Sequence, residues 1–488
     1  MMPLLRALVA ATGLALLGGN AFAQTPADAN WPASERLMSE YKAGRYAAVI
    51  AEAPTVLQSE PWNNELRLAY GYSLLWTGAE WPALEQFQRL LDTDVGVDAR
   101  LGLANGLAWS GRMSEALPHY RLLLNGPHAG EAKLGLANAL RWMGRDDLAL
   151  PLYRELRAAY PDKDVGEEGL FFARRAVRAR TTVGFNYSHD NAPMTRHEPF
   201  VAHSWRMFDN SVLFALEASG GRDRGTFVDA GVREDFRYDR REYGVRIETF
   251  DLPLAPQLVL SRRVKPGDDE LSENAGVPGL KLPARTFGEL RLKLTDWPLQ
   301  LHVGRVNWGK SAFTGAAQLL ALEADRIGIE GRYQLNVGEI RGQANHYRVK
   351  QGPITDLLRY DADNTIDAGD VRLALRWRPW GREVKPFVGT AWRYSDRTDP
   401  AYWSPRKYLL GYVGLEGEWV TREWSVTLLG QVGFRMQGEA STSVSGAIIA
   451  KRWIADDWAI AVNASAQSGS RESKYRADAI SVALEKLW

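Results

Sequence analysis

The chain has 488 residues, 45% hydrophobic and 24% charged, which is ordinary usage for folded domains and excludes a disordered or collagen-like protein. Lys and Arg number 60 against 59 Asp and Glu, so no global basic excess draws in nucleic acid. Cysteine is absent, which excludes a disulfide scaffold, a zinc ribbon, a thiol catalyst and a lipid-modified N-terminal Cys.

Residues 1–23 read as an export signal. Arg6 supplies the positive region, Ala7–Gly19 the apolar core, and Ala21-Phe22-Ala23 the small-residue cleavage site, which places the mature start at Gln24. After that point no stretch reaches 18 uncharged apolar residues, so a spanning helix is not expected.

Residues 30–178 read as an α-solenoid. LGLAN occurs at Leu101–Asn105 and again at Leu134–Asn138, and 15 of the 24 positions from each Leu onward are identical. Gly44, Gly78, Gly111 and Gly144 recur at spacings of 34, 33 and 33. Ala83, Ala116 and Ala149 follow five residues after the last three glycines; Phe87, Tyr120 and Tyr153 follow after nine. This period and pattern resemble the tetratricopeptide repeat. The glycine permits positive φ in the turn, the small Ala lets helices approach, and the aromatic fills the gap to the next repeat. Four repeats are expected, with a final helix over Lys163–Arg178 and a binding surface for partner proteins.

From residue 179 the apolar period changes to two. Val371, Leu373, Leu375 and Trp377 alternate with Arg372, Ala374, Arg376 and Arg378. The segments run to about 10–14 residues, longer than strands of soluble sheets and suited to tilted membrane strands. Short turns are predicted at Asp209-Asn210, Asp239–Arg241, Asp296–Pro298, Asn336–Gly338, Pro379–Arg382, Val420–Glu423 and Ala455–Asp457. Long loops are predicted near 190–197, 252–283, 309–318, 351–368, 396–404 and 470–474. Trp297, Trp377, Trp380, Trp419, Trp424, Trp453 and Trp458 flank the short turns as an aromatic girdle. Leu258–Val264 also alternates, but turn parity assigns Leu252–Pro283 to a loop. The expectation for 179–488 is therefore a 16-stranded antiparallel transmembrane β-barrel, with eighteen strands as the alternative. The complete fold class is an α + β multidomain chain.

A Lys or Arg on the lipid face near the midplane costs ~2–4 kcal/mol, which turns charged residues inward. The candidate lumen set is Arg246, Glu248, Glu289, Arg291, Lys293, Glu330, Arg332, Arg341, Gln343, Asn345, Arg372, Arg376 and Arg378. Their first expected role is ion pairing along the wall; their second is hydrogen bonding to a polar polymer. Residues 178–488 hold 43 Lys and Arg against 39 Asp and Glu, a mixed, slightly basic interior. No HExxH, GxSxG or GxGxxG pattern occurs. No enzyme activity, cofactor, metal or nucleic-acid partner is expected.

Repeats followed by a barrel ending in Trp488 resemble the bacterial exopolysaccharide export porins of the poly-N-acetylglucosamine and cellulose-export type. The motif-level likeness rests on Gly111/Ala116/Tyr120, Gly144/Ala149/Tyr153 and the terminal strand. The resemblance implies a bacterial outer-membrane location, with lipid outside the barrel and the repeats in the periplasm. It implies assembly by the barrel-assembly machinery, polysaccharide threading the lumen and periplasmic proteins on the repeats. The alternative is a receptor or structural barrel like the phage-adsorption outer-membrane proteins, without polymer transport.

Overall fold

A computed structural model describes residues 32–191, 194–229, 232–264, 284–294, 299–312, 317, 320–335, 337–352, 361–377, 384–469 and 475–488. The predicted leader lies outside them. Two compact units meet in the chain near Ala176/Val177.

Nine helices of the N-terminal unit are described. They are α1 (Ala33–Lys42), α2 (Tyr46–Ser59), α3 (Asn64–Trp76), α4 (Glu80–Gln88), α5 (Gly96–Trp109), α6 (Met113–Leu122), α7 (Ala129–Trp142), α8 (Asp146–Ala159) and α9 (Glu167–Val177). They form four helix–turn–helix pairs and a closing helix that starts four residues later than expected. Gly44, Gly78, Gly111 and Gly144 all hold positive φ, between 74° and 91°, a conformation that side-chain-bearing residues rarely adopt. Phe87, Tyr120 and Tyr153 are buried. Each such burial stabilises by about 1.5–3 kcal/mol. A Cβ added at Gly102 would fall 2.5 Å from the Phe87 ring, and at Gly135 2.2 Å from the Tyr120 ring. The period therefore has a packing cause: the aromatic of one repeat lies on a glycine in helix A of the next. Each Tyr hydroxyl donates to the LGLAN asparagine of its own repeat, Tyr120 to Asn105 at 2.8 Å and Tyr153 to Asn138 at 2.7 Å.

The second unit is a closed antiparallel barrel of sixteen strands. They are β1 (Arg180–Asp190), β2 (Met194–Met207), β3 (Val212–Asp229), β4 (Val232–Thr249), β5 (Gln257–Val264), β6 (Arg285–Leu294), β7 (Leu299–Asn307), β8 (Leu322–Leu335), β9 (Gly338–Gln351), β10 (Asn364–Leu375), β11 (Val384–Ser395), β12 (Tyr408–Val420), β13 (Trp424–Gly438), β14 (Ser443–Trp453), β15 (Trp458–Ser468) and β16 (Arg476–Leu487). Closure runs through β1–β16, from Arg180↔Leu487 to Asp190↔Ala477, so no sheet edge is left unpaired.

The expected count of sixteen is correct, but two of its assignments are not. Asp239–Arg241 is not a turn; it lies within β4, paired with Gly220–Arg222 of β3. Gln257–Val264 is not loop; it is β5, paired with β4 and β6. The two errors cancelled. A charged run resembles a turn by composition, yet these charges are strand side chains in ion pairs: Arg222 with Asp239 at 2.7 Å and Arg240 with Asp223 at 2.9 Å. Three loop expectations are shorter in the structure. β2 already begins at Met194, β10 at Asn364, and residues 250–256 form a connection at the end where the chain enters and leaves the barrel. The predictions at 296–298, 379–382, 470–474 and 265–283 fall outside the described residues.

The outer face is apolar. Val183, Leu216, Val303, Ile327, Val371, Val413, Leu415, Val432 and Val482 are exposed large hydrophobics at alternate strand positions. Such an array is costly in water and favourable against hydrocarbon, so this is a membrane-spanning barrel. Trp377, Trp424, Trp458 and Trp488 are exposed at the end holding both chain ends. Trp453 corrects the expected girdle: its pairing with Ala459 sets it on the inner face, where Lys451 Nζ lies 4.6 Å from the ring. Trp297 and Trp380 lie outside the described residues.

Candidate functional site in the barrel lumen

Strand alternation projects the predicted lumen residues inward, and most of them are already paired. Glu289 receives Arg291 at 2.7 Å, His302 at 2.9 Å and Arg326 at 3.2 Å. Glu339 binds both Arg332 and Arg341. Arg372 reaches Glu416 at 2.7 Å and lies 5.1 Å from the Phe387 ring centre. Glu248 faces Lys293 at 3.7 Å, and Glu330 faces His302 at 3.5 Å. Arg246 is exposed on β4, in register with Ala215 of β3. Arg376 closes the β10 end, donating its backbone N–H to Val337 O at 2.9 Å. Arg378 lies outside the described residues. The row Arg372/Arg376/Arg378 is therefore not a line of free guanidiniums, because Arg372 is a strut between β10 and β12.

The structure adds a feature that the sequence reading missed. After β7 the chain forms a short helix, α10 (Trp308–Ala312), which folds into the lumen. Trp308 is 4% exposed and packs with Ala324, Val349 and Ile366 of β8, β9 and β10. Its ring lies 5.0 Å from Tyr347 and 5.7 Å from Tyr402. The Arg393 guanidinium lies 5.5 Å from the Trp308 ring centre and 5.1 Å from that of Trp403. Burial pushes the Tyr402 phenol, in the β11–β12 loop, up to about 12; its hydroxyl is 3.0 Å from Asn364 Nδ2. Two residues after Trp308, Lys310 reaches the opposite wall. Its Nζ donates to Glu242 of β4 at 2.7 Å and lies 3.9 Å from Glu198 of β2. β2 and β10 are eight strands apart in the ring of sixteen.

Beside α10 lies a cavity of about 700 Å³. Trp308, Trp403, Tyr408 and Tyr412 supply aromatic surface, while Gln343, Asn345, Asp370, Gln431, Ser443, Ser445 and Gln467 supply amide, carboxylate and hydroxyl groups. Arg326, Arg372 and Arg393 also line it, and the first two are neutralised by Glu289 and Glu416. Aromatic faces with amide and hydroxyl groups suit a hydroxyl-rich solute, because both C–H faces and O–H edges find partners. Among the described residues no group of three or more His, Asp or Glu is arranged to hold a metal ion.

No protein-family model and no curated protein matches the chain. Similar solved structures include a bacterial polysaccharide outer membrane secretin, at 9% identity and TM-score 0.45, covering 64% of this chain and 99% of that one. Pseudomonas putida OprB is 9% identical with TM-score 0.30, covering 63% of this chain and 91% of that one. MamA MSR-1 is 20% identical with TM-score 0.26, covering 28% of this chain and 81% of that one. These are distant likenesses of fold.

Proposed function

We propose that this protein is a bacterial outer-membrane conduit for an exopolysaccharide, exported by the signal at residues 1–23. In this reading residues 30–178 stand in the periplasm and bind partner proteins, and 179–488 form the conduit after insertion by the barrel-assembly machinery. The observation that carries it is the lumen cavity, where aromatic rings stand beside amide and hydroxyl groups and most guanidiniums are neutralised by the wall. A solute moving through such a site meets weak, repeated contacts rather than one strong charge, as conduction requires. Deleting the gene in its host and measuring cell-bound and secreted polysaccharide tests it. Loss of secreted polymer, restored by the wild-type gene, is expected; unchanged secretion would overturn the reading. One observation favours the receptor alternative, because α10 crosses the lumen and narrows any passage. Ion conductance in planar bilayers separates the two, since a plugged barrel conducts in neither low nor high salt.

A further inference from the structure

We infer that α10 is a selectivity strap, tied across the lumen by Lys310, which confines passage at its level to the β10–β15 side. The inference goes beyond polymer export and holds for whatever solute passes. Its first support is the anchoring. One end of the helix is fixed by the buried Trp308 among β8, β9 and β10. Lys310, two residues on, makes an ion pair with Glu242 of β4 and lies 3.9 Å from Glu198 of β2, the strand eight from β10. A five-residue helix has little stability of its own, so these two attachments hold its position.

The second support is what stands behind the tie. The Asp223 side chain is fully buried, with Arg196 at 3.1 Å and Arg240 at 2.9 Å. Arg240 also binds Glu198 at 2.7 Å, and its side chain is only 4% exposed. These charges fill the β2–β4 side at the level of Lys310. On the other side of the helix the described residues leave a cavity, which Ser311 and Ala312 line together with Gln431 of β13, Ser445 of β14 and Gln467 of β15. The passage is therefore off-centre. Its width is set by how far α10 leans from the β13–β15 wall, and Lys310 sets that distance.

The test uses the full-length protein in planar bilayers, with potassium chloride as the permeant salt and graded polyethylene glycols as size probes. Lys310→Ala and Lys310→Glu remove or reverse the tie, so single-channel conductance should rise at least about twofold and larger glycols should enter. The exchange Lys310→Glu with Glu242→Lys should return both toward wild type. Ser445→Trp obstructs the proposed passage and should lower conductance severalfold. Heat-modifiable migration reports folding of each variant. Folded Lys310 variants with wild-type conductance and size cut-off would overturn the strap. If those variants fail to fold, Ser445→Trp decides: the folded variant with wild-type conductance overturns the off-centre passage. Polymer secretion does not enter this test, so its outcome is separate from that of the export reading.

Discussion

His128 bridges two neighbouring repeats, with Nδ1 at 2.7 Å from Glu131 and Nε2 at 2.8 Å from Asp98. Partial burial opposes its charge, but hydrogen bonds to Glu131 and then Asp98 outweigh it, and its pKa is raised above the usual 6.5. A raised folded value means that the stabilisation is complete below the unfolded pKa and lost as pH rises through the folded one. The repeats should therefore resist urea better at about pH 5.5 than at about pH 8.5. Limited proteolysis in urea should show this for wild type, and His128→Gln should flatten the difference; an equal pH dependence in both would refute the role. Arg372 poses a second residue-scale question. Arg372→Ala takes from the Glu416 carboxylate its partner at 2.7 Å, with Arg341 standing at 4.0 Å, and loss of a charged partner costs about 1–3 kcal/mol. The heat-modification temperature should fall, and a variant with unchanged temperature but altered ion selectivity would show that the guanidinium serves solutes rather than the wall.

At the scale of elements, the glycine seats and the terminal strand carry the sharpest expectations. Gly135→Ala places a methyl 2.2 Å from the Tyr120 ring, and overpacking of this kind costs about 1–3 kcal/mol. Protease protection of α5–α8 should fall while the heat-modifiable migration of the barrel stays the same. The chain terminus is bonded on three sides. Leu487 pairs with Arg180, Arg178 Nε donates to the Trp488 carbonyl at 3.0 Å, and the Trp488 indole N–H donates to Thr181 Oγ1 at 2.8 Å. Removing Leu487 and Trp488 should impair closure between β16 and β1 and lower the yield of folded barrel in membranes. Normal yield and migration after the deletion would show that the remaining eleven residues of β16 suffice.

For the whole molecule, orientation is the open physical quantity. The end with both chain ends carries the short connections, such as Thr421–Glu423 and Ile454–Asp457, while the opposite end carries the residue 396–407 loop and the strap. Barrels of this class keep their short turns inside and their long loops outside. Protease added to intact cells should therefore cut the long-loop end, near Asp361 or Arg397, and spare residues 33–177. Cleavage between α1 and α9 in intact cells would reverse the assignment.

Periodicity explains how far the sequence alone determined this protein. The 33-residue recurrence of Gly, Ala and aromatic residues determined the helical repeats, because each is a local packing demand repeated along the chain. Two-residue alternation determined the barrel and the inward direction of Arg246, Glu289, Arg341 and Arg372, since side-chain direction follows directly from strand geometry. Only the tertiary structure decided which strands were real where charge imitated a turn, as at Asp239–Arg241. It also decided which carboxylates the arginines meet, as Arg372 of β10 meets Glu416 of β12, and that Trp308 and Lys310 fold inward to different walls. Those contacts join residues up to 112 positions apart, as Lys310 and Glu198 do, and no local pattern encodes a pairing that exists only once the barrel has closed.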